Sequence, residues 1–517
     1  MSYIPEGDRY QSRIMCLDDM VAAGSMARVV DKFVEVCDLE ELGFTHVDSN
    51  EPGRPSYSPL TMTKIYLYCY EEGIRSSRMI EKACRTNIEV MWLAGGLTPV
   101  QKTIAAFRHD NVEAFTALFS EFTSFLDSCG LFGKTLVAID GTKIRASNSK
   151  KRNVSRRSAE RKIKHHTAKA EEYLKALDKA DGIEEIEELS DKVDEARKRA
   201  EEAEGLLEKM DEAGVNEISL TDSDARCMGK GRQGMHVSYN VQTSVDGKCH
   251  LIADFLVTNQ PNDMNLLSPM AIRYQEIMRK CGAVTVADKG YYSGDDLEIC
   301  RESGINCIVA PQGKTDGRHT EGYGSGAFKY DEQADTYTCP HGAKLTCKSK
   351  PDTRVKLYSN KEACLSCEAQ EQCRSSRLSY RKIRRQPKSE ILEWADERYF
   401  ANTETYSQRQ QLVEHPFGTV KHTMRGDHFL LRGIDKVKCE AALLFAGYNL
   451  KRALNELGFE KIMAKMDEYG ALVKAHNSSH QLITTLYMRI YVVIKGARSV
   501  LAVFFPAKPG SVDALAV

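Results

Sequence analysis

The chain has 517 residues, 42% of them hydrophobic, and balances 72 Lys and Arg against 73 Asp and Glu. That length fits about two to four domains with sizeable cores. The near-neutral total excludes any case for a polyanionic partner made from whole-chain charge, so such a case has to rest on local patches.

The N-terminal "MSYIPEGDRYQSRIMCLDD" has no apolar run, and no signal peptide is expected. The most apolar stretch, "LITTLYMRIYVVIKGARSVLAVFF", carries Arg489, Lys495 and Arg498, which argues against a membrane span. A soluble, cytoplasmic protein without a membrane partner is expected. Its 16 cysteines then read as reduced thiols or metal ligands.

Residues 1–130 read as helical. In "SPLTMTKIYLYCYEEGI", Ser58 is an N-cap, Pro59 takes the first helical position and Gly73 is a stop. "SSRMIEKACRTN" is a second short helix, and a third starts at Thr98 and Pro99. Short helices joined by tight turns suit a helix-turn-helix-like, DNA-binding unit with Arg75, Arg78, Lys82 and Arg85 as its basic face. An ordinary bundle with a solvated face is the competing interpretation.

"KTLVAIDGTKIRAS" predicts a strand, Leu136 to Ile139, ending in Asp140 and Gly141. Residues 150–215 open with a basic run, "KKRNVSRRSAERKIKHH", and continue as an Ala-, Glu-, Lys- and Leu-rich helical hairpin broken near Asp181-Gly182. Residues 235–258 are two alternating runs joined at Asp246-Gly247, a hairpin signal. A helix is expected from Asn262 to Lys280. The strand "VTVA" follows, ending in Asp288, then a helix at 293–303 and a strand at 306–310. This order describes an α/β core with a mixed sheet, over 131–149 and 216–310.

Residues 311–398 form a Cys-rich insertion. Cys364 and Cys367 have a chelating spacing, and Cys339 and Cys373 would complete a tetrahedral Zn2+ site, with Cys347 as the substitute. A loop poor in apolar residues would draw its stability from such a metal. The basic "YRKIRRQPK" (Arg381, Lys382, Arg384, Arg385, Lys388), with the cations at 150–164, could bind a DNA backbone. Helices at 399–460 close the core, and 461–517 is a tail without an assigned role.

Asp140 and Asp288 stand at strand ends, each near a glycine that lets the backbone turn. Ligands of open α/β sheets bind outside the carboxyl ends of strands. Two such carboxylates can share a hard divalent cation, and Glu414, between Arg409 and Lys421, is the best third. Glu414 and Lys421 are spaced to share a helix face with Tyr406, although Pro416 should kink or restart that helix.

At these residues the chain resembles the bacterial insertion-sequence transposases of the DDE type, which have an RNase H-like catalytic core. The resemblance rests on "AIDGTK" with Asp140, "ADKGYYS" with Asp288, and the Y-R-E-K type signature of Tyr406, Arg409, Glu414 and Lys421. It extends from about residue 50 to about 455. It implies an RNase H-like mixed sheet with an N-terminal all-α DNA-binding domain, the helical hairpin and a zinc-ribbon-like insertion. It implies that Asp140, Asp288 and Glu414 hold Mg2+ or Mn2+, while Tyr406, Arg409 and Lys421 contact phosphate. The signature usually has three residues between Arg and Glu. Here there are four, which turns Arg409 by about 100° on an ideal helix. The implied activity is cleavage of double-stranded DNA at transposon ends and strand transfer to target DNA, by a homodimer on DNA in the nucleoid. The rivals are a hydrolysis-only RNase H-like nuclease and a decayed, non-catalytic DNA-binding protein.

Overall fold

The computed structural model describes residues 15–47, 56–149, 152–180, 182–229, 234–279, 281–312, 322–324, 327–350, 353–373 and 378–475. The apolar tail from 476 lies outside the described residues, as do Lys150 and Lys151 of the basic run.

Seven helices open the chain: α1 (Leu17–Met20), α2 (Met26–Val36), α3 (Pro59–Glu71), α4 (Ser77–Thr86), α5 (Ile88–Leu93), α6 (Gln101–Asp110) and α7 (Val112–Ser128). Ser58 and Pro59 start α3, and Gly73 leaves it with φ +71°. The third predicted helix begins at Gln101 rather than Pro99, with Val100 as its cap. Residues from Met62 to Glu71 along α3 are all buried, so it is a central helix with no solvent face. Its partner is α16 (Ile434–Leu457), which is buried from Cys439 to Leu450. A Cβ on Gly447 of α16 would lie 3.1 Å from Glu71 Cα, so glycine is what lets the two backbones meet.

The helices also share their core with the sheet. Phe119 of α7 packs edge-on against Phe255, which packs against Phe445 of α16. A boundary at residue 130 therefore separates sequence segments but not cores.

The sheet is built from β1 (Leu136–Arg145), β4 (Arg226–Met228), β5 (His236–Asp246), β6 (Ile252–Thr258), β7 (Val284–Ala287) and β8 (Cys307–Val309), in the order β4-β5-β1-β7-β8, with β6 also on β5. β1 is antiparallel to β5 and parallel to β7, and β7 is parallel to β8. This is the mixed sheet expected. Helices α10 (Leu267–Ile277), α11 (Gly294–Glu302) and α14 (Ser389–Ala401) cover one face of its parallel half, and α15 (Thr403–Gly418) covers the other. The helix expected from Asn262 is shorter, because its N-terminus is fixed at Leu267 by Asp296, whose carboxylate accepts from the Leu267 and Ser268 amides.

Between β1 and β4, the short strands β2 (Asn153–Ser155) and β3 (Glu217–Ser219) pair at the base of two antiparallel helices, α8 (Arg156–Leu177) and α9 (Ile183–Glu212). Residues 329–385 hold a second, antiparallel sheet: β9 (Lys329–Asp331), β10 (Thr336–Thr338), β11 (Lys344–Cys347), β12 (Lys356–Ser359) and β13 (Lys382–Arg385), with the short helices α12 (Lys361–Leu365) and α13 (Gln370–Cys373). The expectation of a loop without its own core is corrected here. Phe328, Tyr337, Leu345, Tyr358 and Ile383 bury together. Asp335 accepts from the Tyr330 and Tyr358 hydroxyls, which hold its carboxyl down to about 2. Part of the expected basic patch is used internally. Arg385 stacks on Tyr330 and pairs with Glu393, and Lys388 pairs with Asp295 and Glu298.

Arg75 does not stand on the expected basic face. It is buried, donating to the carbonyls of Arg425 and His428 and to Glu440 at 2.9 Å. Arg78, Lys82 and Arg85 are exposed on α4. Among the described residues no helix is long and apolar enough to cross a membrane.

Removing one partner of a buried ion pair leaves the other charge uncompensated. Arg75→Ala is expected to cost about 3–5 kcal/mol of stability, and Arg78→Ala less than about 0.5 kcal/mol, measured by urea denaturation of both variants beside the wild type.

Candidate active site

Asp140 lies in the middle of β1, not at its end. The strand continues through Gly141 to Arg145 because β5 pairs along its whole length, with Asp140 opposite Thr243. The parallel side is different. There the pairing stops at Ile139 and Ala287, and the next residue of each strand is an aspartate. Continuing the register by one residue sets Asp140 beside Asp288, where the sheet opens. The two carboxylates are thus neighbours by topology.

Alternation along β1 decides what each residue meets. Ala138, Asp140 and Thr142 face α15. Ala138 packs with Val286, Ile308, Leu412 and Val413, against which Tyr406 also rests. Arg409 reaches Asp140, Nη1 to Oδ2 at 3.2 Å, and Lys421 donates to Thr142 Oγ1. Asp140 also accepts from the Gly141 amide at 2.8 Å, and Asp288 from the Gly290 amide at 2.7 Å, which caps a single 3-10 turn, Lys289–Tyr291.

These contacts do not fully compensate Asp140. Burial pushes its carboxyl up to about 6; Arg409 opposes this, and the neighbouring Asp288 and Asp263 add to it. Burial also lowers the Lys421 ammonium, and raises the Tyr406 hydroxyl.

Glu414 is placed differently. It is exposed, and accepts from Gln410 at 2.7 Å. The cause is spacing: Glu414 comes five positions after Arg409, so the two point about 140° apart on an ideal helix. Arg409 takes the face toward β1, and the extra residue does not remove it from Asp140. Helix α15 runs through Pro416 to Gly418 instead of restarting there, then widens into a π-type turn, Thr419–Thr423. That turn changes the phase, so Lys421 faces β1 while Glu414 does not share its face.

Asp263 was not anticipated. It lies between β6 and α10, and its Oδ1 accepts from Lys143 at 2.9 Å, Asn240 at 2.8 Å and Gln242 at 2.9 Å. The usable signal was "PND" directly after a strand, since Pro261 cannot extend β6. Reading a helix from Asn262 concealed it.

In the second sheet, Cys339, Cys364, Cys367 and Cys373 line one cavity with His341 and Arg381. Burial raises the Cys373 thiol, and the other three cysteines lie close enough to raise it further. Cys347 is on β11 and does not line the cavity. Among the described residues no three His, Cys, Asp or Glu side chains are arranged as a metal centre.

Residues 338–454 match the family model described as a transposase DDE domain, and residues 15–110 match a transposase domain (DUF772). Both matches are to transposase domains, and they support the resemblance to the insertion-sequence DDE transposases. The first match takes in the cysteine cavity and the whole Tyr406-to-Lys421 segment, and the second takes in α1 to α6. No curated protein and no solved structure matches the chain. The fold is a helical N-terminal region and a mixed sheet, consistent with an RNase H-like core.

The raised Asp140 carboxyl fixes a sign. A folded-state value near 6, above the ordinary 3.8, means that ionised Asp140 costs stability above pH 6, and that the cost fades as pH falls toward 3.8. Asp140→Asn is expected to stabilise the transposase by about 1–3 kcal/mol at pH 7, with the gain gone near pH 4. Thermal melting of both proteins between pH 4 and 8 checks this.

Proposed function

We propose that this transposase cleaves double-stranded DNA at the ends of its element and joins them to target DNA, with Asp140, Asp288 and Glu414 as its acidic residues. One observation carries the reading: two aspartates are neighbours where the parallel pairing of β1 and β7 stops, with Arg409 brought to Asp140 from α15 and Lys421 to nearby Thr142 from the π-type turn, both within the DDE-domain match. The carboxylate oxygens of Asp140 and Asp288 are hard donors and fit Mg2+ or Mn2+. When bound there, such an ion supplies charge stabilisation to a phosphodiester in displacement. Arg409 and Lys421 offset charge on the phosphate oxygens, and Tyr406 supports Arg409 from beneath, its ring 5.9 Å from the guanidinium. The entering water or 3′-hydroxyl oxygen forms a bond to phosphorus as the bond to the leaving 3′-oxygen breaks in line; the nucleophile's proton passes to solvent water, and the leaving oxygen takes up a proton from solvent.

The four cavity cysteines are soft donors of the type that structural Zn2+ takes, and would have to draw together to hold it. Arg78, Lys82 and Arg85 on α4, with the cations of α8, are the proposed DNA contacts; enclosed Arg75 is not among them. Cytoplasmic location and a homodimer on DNA complete the proposal. The exposed position of Glu414 favours one second reading, a DNA-binding protein that no longer cleaves.

Excision of the native element is the test. Asp288→Asn, a near-isosteric loss of one charge, is expected to lower excision by more than about 100-fold, at least the loss seen when support of a metal ligand is removed. Equal excision by both proteins removes Asp288 from the site. No excision by either, with DNA binding retained, favours the second reading.

A further inference from the structure

Beside Asp288, a chain of hydrogen bonds ties four elements together, and the proposed chemistry does not use it. Asp263 Oδ1 takes one donor from β1, Lys143, and two from β5, Asn240 and Gln242. The Gln242 amide also donates to Asn240 Oδ1 at 3.0 Å, and its Oε1 accepts from the Tyr291 hydroxyl. Tyr291 is fully buried and closes the turn that Asp288 caps. Asn240 and Gln242 are fully buried too.

The path leaves no spare room. A Cβ on Gly141 would lie 2.1 Å from Gln242 Nε2 and 2.7 Å from Asp263 Oδ1. A Cβ on Gly290 would lie 2.8 Å from Asp288 Oδ1 and 3.5 Å from Asp263 Oδ2. Both glycines are thus required by close approach.

The faces of β1 separate this network from the proposed chemistry. Lys143 points to the face opposite Asp140 and Thr142, so Asp263 approaches the turn from beneath the sheet while Arg409 approaches Asp140 from above. One Asp263 oxygen is already filled by three donors, and Lys143 offsets the charge. That geometry is poor for a cation ligand and good for a brace.

We propose that Asp263 is a positioning residue: through Gln242 and Tyr291 it fixes the turn that aims Asp288 at Asp140. Its functional consequence rests on the reading of Asp288 as catalytic.

The test uses the full chain and three variants. Asp263→Ala removes the acceptor, Asp263→Asn keeps an acceptor oxygen but no charge, and Tyr291→Phe deletes one buried oxygen with the least risk to folding. The first readout is hydrogen exchange of the segment 286–297, followed by mass spectrometry. The second is excision across a Mg2+ series. Exchange should quicken about tenfold or more in Asp263→Ala and Tyr291→Phe, as expected for losing one buried hydrogen bond. Excision by both should fall by about the same factor, with a higher Mg2+ requirement. Asp263→Asn should stay within about threefold of wild type in exchange and keep most of its excision, because its three donors still find an acceptor. Unchanged exchange in Asp263→Ala and Tyr291→Phe overturns the proposal, as does quicker exchange with unchanged excision. Asp263→Asn as inactive as Asp263→Ala, with wild-type exchange, makes Asp263 a ligand instead. Failure of the transposase reading looks different: wild type itself does not excise, and exchange alone then decides whether Asp263 holds the turn.

Discussion

Like charges crowd together at the rim where the parallel half of the sheet stops, and most of the local structure answers that constraint. Asp140 and Asp288 follow the last residues paired between β1 and β7, and Asp263 comes up against the same turn from the opposite face. Partly buried carboxylates repel one another more strongly than exposed ones, because the surrounding dielectric is lower. Each has a specific compensation. Arg409 meets Asp140, Lys143 meets Asp263, and the Gly141 and Gly290 amides point at carboxylate oxygens. The compensation is incomplete at Asp140, as its raised carboxyl records. Stability is given up at a site where negative charge is concentrated, the pattern of sites that serve function at a cost to the fold.

That arrangement can be held only by a rigid frame. The α3–α16 pair provides it, with backbones close enough at Gly447 and Glu71 to exclude a side chain. Arg75 joins the start of α4 to α16 and to the segment after the π-type turn, through Glu440 and the carbonyls of Arg425 and His428. The turn itself brings Lys421 to Thr142 of β1. Packing of the N-terminal helices and presentation of the cations to the acids are therefore parts of one core, although the two lie hundreds of residues apart.

Much of this was legible from local pattern. A short apolar run located the first half of β1, alternation located β5 and β6, the Ala-, Glu- and Lys-rich run located α8 and α9, and Ser58-Pro59 located the start of α3. Both strand aspartates were found because a carboxylate at the end of an apolar run is conspicuous. What was missed depended on distant partners. Arg75 looked like one cation of a basic helix, since Glu440 is 365 residues away. Asp263 has no local signal beyond a turn, because its donors sit on two strands. The phase of Lys421 relative to Glu414 depended on a π-type turn that spacing does not announce. The second sheet was hidden because its core is a cluster of tyrosines between charged residues, a weak signal of burial.

The proposed chemistry needs Asp140 and Asp288 to hold one cation at the rim where their parallel pairing stops. Anomalous diffraction from crystals of the full chain soaked in Mn2+ tests it most directly. The account predicts a Mn2+ peak within ligand distance of both the Asp140 and Asp288 carboxylates, lost in Asp288→Asn. A peak confined to the cysteine cavity or to other surface acids, with none between Asp140 and Asp288, would contradict it.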